Sequence, residues 1–160
     1  MMTRMKLQHS VRYDAAPADV YAMLTDPAFR EKACWAQQAE SVEVQVTDGE
    51  VRIELVQPNT DLPGFARAFA GETTRAVQAE TWARGESADF SVTTPGKPAG
   101  ISGTRRLVAD GDGTLDTFDG EARAKVPLIG GKIEKLIGDK LKEGWDTEHE
   151  VGIGWLAGER

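Results

Sequence analysis

The feature that most constrains the fold is one long amphipathic segment at the end of the chain, residues 129–156. Apolar residues recur there at helical spacing and share one broad face, made of Ile129, Ile133, Leu136, Ile137, Leu141, Gly144, Val151 and Trp155. The helix also contains Gly138, Gly144 and Gly152, each of which costs roughly 1 kcal/mol relative to alanine. That cost indicates close packing against another element or open space beneath the helix.

Most of the remaining chain alternates apolar and polar residues, which is the pattern of half-buried strands. The first strand covers residues 5–14. A short helix then begins at Pro17 and ends before Pro27, because proline suits a first helical turn and the residue before proline avoids helical angles. A second short helix follows at residues 29–38. Six more strands are predicted at residues 42–46, 51–55, 73–84, 87–94, 101–110 and 114–126.

Two segments are compatible both with a filled core and with a cavity inside the domain. The last strand has mostly small inward side chains, Gly120, Ala122 and Ala124, which leave room for the long helix to pack closely or for a ligand. Residues 59–71 interrupt the strand pattern and carry Phe65 and Phe69 four positions apart. One helical turn would bring these two rings together, either over the mouth of a cavity or as a plug in the core.

Length and charge limit the classes of function. The 160 residues suit one domain, residues 1–160, and the net charge of −7 argues against binding to nucleic acid. No apolar run is long enough to cross a membrane, so stable membrane insertion is not expected. The N-terminus lacks the apolar core of a signal peptide, which favours the cytoplasm. The single cysteine, Cys34, is expected to be a buried, inert thiol.

The stretch Tyr13-Asp14-Ala15-Ala16-Pro17-Ala18-Asp19-Val20-Tyr21-Ala22-Met23-Leu24-Thr25-Asp26-Pro27 resembles the opening signature of START-related proteins, the SRPBCC superfamily. Val126-Pro127-Leu128-Ile129-Gly130-Gly131-Lys132-Ile133-Glu134 resembles a bacterial branch known only as a domain of unknown function. The resemblance implies an α+β helix-grip fold, in which a curved seven-stranded antiparallel sheet wraps around a long C-terminal helix, with two short helices after strand 1. It also implies an apolar cavity between sheet and helix.

Two polar residues lie on predicted apolar faces. His9 is on the inward face of the first strand, and Glu148 is on the apolar face of the long helix. A buried carboxylate without a partner is costly, so Glu148 should find a partner or become protonated. Both residues are candidates for contact with a ligand, and as a pair they are also candidates for acid–base catalysis. The alternative is that each is a satisfied structural residue.

The other candidate ligand contacts are apolar residues that suit a pocket or a core equally well. They are Phe65, Phe69, Trp82, Phe90, Ile101, Leu107, Phe118, Leu141 and Trp145. No cofactor or metal is expected, since the chain has two histidines and one cysteine. The oligomeric state does not follow from the sequence.

Three functions remain open. The first hypothesis is the binding or transport of an apolar small molecule that resembles a lipid, a sterol or a polyketide. The second is an enzyme of the polyketide cyclase or dehydratase kind that uses His9 and Glu148. The third is a structural domain that has a filled core and works through protein contacts.

Overall fold

The computed structural model describes residues 3–160, so Met1 and Met2 of the predicted domain lie outside the described residues. The elements in chain order are β1 (Thr3–Tyr13), α1 (Pro17–Leu24), α2 (Pro27–Ala36), β2 (Ser41–Thr47), β3 (Glu50–Pro58), α3 (Gly64–Ala70), β4 (Thr73–Ala83), β5 (Ser87–Thr93), β6 (Ala99–Asp110), β7 (Gly113–Ala124) and α4 (Gly130–Leu156). The predicted strands and long helix are confirmed, with ends that differ by a few residues.

The strands form one antiparallel sheet in the order β1-β7-β6-β5-β4-β3-β2. Consecutive strands from β2 to β7 are neighbours, and β1 pairs with β7 at the far edge. Helix α4 packs on β1, β7 and β6, and it also contacts α1 and α2. The predicted helix-grip arrangement is therefore confirmed. No helix within residues 3–160 is both long and apolar enough to span a bilayer.

The segment after β3 contains a third short helix, α3, which the predicted order of two short helices does not include. The helix ends at Ala70 and is followed by Gly71, whose φ of 86° favours glycine. Contrary to the expectation from their spacing, the two phenylalanine rings of this helix do not lie together. Phe65 is exposed, and Phe69 is partly buried against Ala66 and Ile133. Only one helical turn is apolar here, so hydrophobic periodicity gave a weak signal for a helix.

Small residues mainly allow close packing. A Cβ atom on Gly120 would lie 3.1 Å from Cζ of Phe90, and one on Gly152 would lie 2.7 Å from Cε1 of Tyr13. Gly144 differs, because its added Cβ would meet only the side chain of Gln37. The internal space therefore lies away from the small residues of β7.

Candidate functional site

A cavity of about 430 Å³ lies between α4 and the part of the sheet formed by β3 to β6. Helix α3 and the end of α2 also contribute to its walls. Residues of α4 face it at helical spacing, and they include Ile133, Ile137, Leu141, Gly144, Trp145 and Glu148. The volume falls in the range of small-molecule sites. The helix therefore covers the sheet without filling the interior.

Four of the eleven predicted contact residues line this cavity: Phe69, Leu141, Trp145 and Glu148. The structure places the other seven outside the lining. Leu107 and Trp82 lie in the larger core cluster, Phe90, Ile101 and Phe118 lie in a second cluster with Trp145, and Phe65 lies at the surface. His9 is half-buried on β1. Alternation along a strand identified the inward face, but it did not show which inward residues border the open space.

Trp145 forms a wall of the cavity and is held by other aromatic rings. Its indole stacks on Phe118 with centroids 3.9 Å apart and planes 14° from parallel. Phe90 meets the same indole edge-on, with a centroid distance of 5.8 Å. Offset stacking and edge contacts are both favourable ring geometries. This aromatic cluster fixes the position of the wall.

A group of five buried charged residues lies behind the cavity; we call it the buried ion cluster, and it comprises Arg30, Glu80, Arg105, Asp116 and Glu148. Arg105 donates from Nε and Nη2 to the two carboxylate oxygens of Asp116, at 2.9 and 2.7 Å. It also donates to Oε2 of Glu80 at 2.8 Å and to Oε1 of Glu148 at 2.6 Å. Within this cluster only Glu148 lines the cavity.

Arg30 completes the cluster from helix α2. Its Nη1 and Nη2 donate to the two oxygens of Glu80 at 2.8 and 3.1 Å, and Nη1 also donates to the carbonyl of Leu24. The indole N–H of Trp82 donates to Glu80 at 3.0 Å. Such bidentate pairs are strong because both partners are charged and the geometry is fixed. The cluster thus joins α2, three strands and α4.

The cluster changes the titration of its members. Burial raises the pKa of Glu80, but Arg30 and Arg105 outweigh that effect and lower it to about 2. Burial also lowers the pKa of Arg105, yet its three carboxylate neighbours hold it well above the usual value. Tyr13 is not a member of the cluster, but burial raises the pKa of its phenol as well, and the hydroxyl has no hydrogen-bond partner within residues 3–160. The guanidinium groups therefore stay charged.

Glu148 has the partner that its position on an apolar face requires. The two arginines were missed, because Arg105 stands beside Arg106 in a strand and Arg30 lies in a short polar helix. One feature of the sequence did point to them: Glu148 lies on an apolar helix face, and a buried carboxylate needs a cationic partner. His9 lies elsewhere: its Nε2 is 2.7 Å from Oδ1 of Asp146, and its ring stacks on Trp145. The structure does not bring His9 and Glu148 into contact.

The chain matches a family model described as Protein of unknown function (DUF2505) over residues 8–156. No curated protein matches it. Among solved structures, it is similar to TTHA0849 from Thermus thermophilus, at 18% identity and a TM-score of 0.68, which covers 96% of this chain and 99% of that one.

Two other similar structures carry named activities. One is the di-domain ARO/CYC StfQ from the steffimycin biosynthetic pathway, at 11% identity and a TM-score of 0.68, where the match covers 92% of this chain and 49% of StfQ. The other is norcoclaurine synthase from Thalictrum flavum, at 12% identity and a TM-score of 0.64, with 95% and 88% covered. At these sequence identities, the similarity to the three structures concerns the fold alone.

Proposed function

Because the chain belongs to the DUF2505 family and has the helix-grip fold of the SRPBCC superfamily, we propose that it binds an apolar small molecule beneath helix α4. The observation that carries this proposal is the cavity of about 430 Å³ between α4 and the sheet. Its volume lies within the range of clefts and cavities that bind small molecules, so a space of this size suits an occupant.

The lining combines apolar and polar side chains, which suits a ligand of moderate size that has an apolar body and a polar group. Apolar side chains form much of the wall, among them Leu62, Phe69, Ala76, Val92, Leu136 and Leu141. Burying such surface against a ligand contributes roughly 25 cal/mol per Å² before the costs of association. Structures with a related fold include an aromatase/cyclase and a norcoclaurine synthase, which favours an aromatic or polyketide-like ligand over a long-chain lipid.

Binding is favoured here over the alternative of a cyclase or dehydratase. The enzyme hypothesis uses His9 and Glu148 together, but His9 is absent from the cavity lining and contacts Asp146. Glu148 does line the cavity, yet its carboxylate already faces two arginines. Acid–base catalysis by this pair requires both residues to reach one bound substrate, yet His9 and Glu148 have different hydrogen-bond partners, and of the two only Glu148 borders the cavity. We therefore place carriage or sensing of a ligand first.

A fluorescent probe can test the proposal directly. N-phenyl-1-naphthylamine is neutral and becomes emissive in apolar surroundings, so the wild-type protein should bind it saturably at one site. Substituting Ala76, a lining residue of β4, by phenylalanine should fill part of the cavity and weaken binding at least tenfold. Absence of saturable binding by the wild type would rule out the proposal.

The matched control is Ala79→Phe on the same strand. Residues three apart in a strand point to opposite faces, so this side chain points away from the cavity. Ala79→Phe should bind the probe as the wild type does. Equal weakening by both substitutions would show that the probe binds outside the cavity. Native mass spectrometry of protein purified from its own host then identifies the natural occupant.

A further inference from the structure

We propose that the end of the cavity next to the buried ion cluster binds a hydroxyl group of the ligand, with Gln78 and Glu148 as its hydrogen-bonding partners. The proposal rests on the proposed function and adds the chemical class of the occupant. The expected ligand is an otherwise apolar, neutral molecule with an alcohol or phenol group, rather than a free carboxylic acid.

Gln78 supplies the first part of the argument. It lies on the inward face of β4 and lines the cavity, and its neighbours across the sheet are the apolar residues Ile53 and Val92. Its side-chain amide makes no hydrogen bond to any residue within the described part of the chain. Gln78 is half-buried and its amide is accessible from the cavity, so the hydrogen-bonding capacity of the amide is available to whatever fills that space. Water or a polar ligand group in the cavity can therefore form a hydrogen bond with it.

Glu148 supplies the second part. Its Oε1 accepts a hydrogen bond from Arg105, whereas its Oε2 is 3.6 Å from Nη2 of Arg30, which is too long for a hydrogen bond. A carboxylate offers about four lone-pair sites, so Oε2 can accept a further donor. Because Glu148 lines the cavity, that donor can come from a ligand.

The topology places the two groups at the same end of the cavity. Gln78 precedes Glu80 by two residues, so both lie on the inward face of β4 and their Cα atoms are about 7 Å apart. Glu80 shares the guanidinium groups of Arg30 and Arg105 with Glu148. A hydroxyl oxygen can accept from the Gln78 amide while its proton is donated to Glu148. One hydroxyl group therefore offers the acceptor and the donor that these two residues call for.

The charge of the cluster selects against an anionic ligand. With every group ionised, three carboxylates face two guanidinium groups, so negative charge is in excess. Both arginines are buried, and both terminal nitrogens of each already donate to Glu80, Asp116, Glu148 or the carbonyl of Leu24. A ligand carboxylate would approach Glu148 where both guanidinium groups are already paired with carboxylates. A neutral hydroxyl avoids that repulsion.

The test uses three small probes of similar shape: 2-naphthol, 2-methylnaphthalene and 2-naphthoate. Affinities are measured by calorimetry for the wild type and for Gln78→Met, which keeps the side-chain length and removes the amide. Gln78→Met should weaken 2-naphthol about five- to tenfold and leave 2-methylnaphthalene unchanged or slightly tighter. The wild type should bind 2-naphthoate more weakly than 2-naphthol. Equal effects of Gln78→Met on both neutral probes would overturn the proposal.

Gln57→Met provides the matched control. Gln57 also lines the cavity, but its amide already donates to the carbonyl of Gln37 at 3.0 Å. It should keep the wild-type difference between the two neutral probes. A Gln57→Met variant that loses the 2-naphthol affinity in the same way as Gln78→Met would count against the assignment.

A measurement on the wild type removes dependence on the stability of any variant. In nuclear magnetic resonance spectra, 2-naphthol should move the side-chain amide protons of Gln78 downfield of their positions with 2-methylnaphthalene bound, because the two rings give similar ring-current shifts and only the hydroxyl adds a hydrogen bond. Failure of both neutral probes to bind overturns the hydroxyl assignment. If N-phenyl-1-naphthylamine still binds in that case, the proposed function stands; if it also fails, the proposed function falls with the assignment.

Discussion

The carboxylate of Glu148 in α4 accepts a hydrogen bond of 2.6 Å from Nη2 of Arg105 in β6. This contact ties the long helix to the centre of the sheet through charge rather than through apolar packing alone. The same guanidinium holds Asp116 and Glu80, so Arg105 connects α4, β4, β6 and β7. Removing it would leave three buried carboxylates with a single arginine among them.

Arg105→Met should therefore destabilise the protein by about 3–5 kcal/mol, because it leaves buried carboxylates without their main counter-ion. The free energy of unfolding in urea measures the loss. Arg52→Met is the control, since Arg52 is exposed and pairs with Glu54 on the surface. That substitution should cost less than about 1 kcal/mol. Similar losses for the two variants would show that the cluster does not stabilise the fold.

Stability should fall in acid through Glu80. Its ordinary pKa of 4.5 is lowered to about 2 in the folded protein, so the unfolded chain binds the proton more readily. The stabilisation is complete above about pH 4.5 and is lost as the pH falls towards 2, on the order of 3 kcal/mol in all. Burial raises the pKa of Asp116, which acts in the opposite sense.

Comparing Glu80→Gln with the wild type separates the contribution of Glu80. The difference in unfolding free energy between the two should shrink as the pH decreases from 4.5 to 2. Gln45→Ala, at an exposed position on the edge strand β2, removes no titrating group and should keep a constant offset from the wild type over the same range. A constant offset for Glu80→Gln as well would contradict the lowered pKa.

Two glycines of α4 should respond to alanine in opposite directions. A Cβ on Gly138 would lie 3.5 Å from Cδ1 of Leu7, an ordinary contact, so Gly138→Ala should stabilise the protein by about 0.5–1 kcal/mol. A Cβ on Gly152 would lie 2.7 Å from Cε1 of the buried Tyr13, so Gly152→Ala should destabilise it by about 1–3 kcal/mol. Thermal unfolding checks both, and shifts of the same sign would show that packing does not distinguish the two sites.

Cys34 should be unreactive in the folded protein. It is buried on α2, and burial raises the pKa of its thiol to about 11 from an ordinary value of 9. At pH 8 this lowers the thiolate fraction about a hundredfold, and lack of access slows the reaction further. A disulfide reagent such as Ellman's reagent should react slowly with native protein and rapidly in guanidinium chloride. Fast reaction of the native protein would mean that the α2 region opens readily.

Most of the fold could be predicted from neighbours along the chain. The alternation of Met5, Leu7, Val11 and Tyr13 predicts β1, and the periodicity from Ile133 to Trp155 predicts α4, because each pattern reflects one buried face. Helix α3 was not included, since a seven-residue helix carries too few apolar repeats to be told from a loop. Local patterns thus determined which face of each element turns inward.

The sequence by itself determined that Glu148 lies on an apolar face and needs a partner. Only the tertiary structure decided that the partner is Arg105, 43 residues earlier, with Arg30 nearby. Strand register decided that Phe118 supports Trp145 while Gln78 faces open space. The reason is physical: side-chain periodicity acts within one element, whereas the position of a cavity depends on how the elements lie against one another.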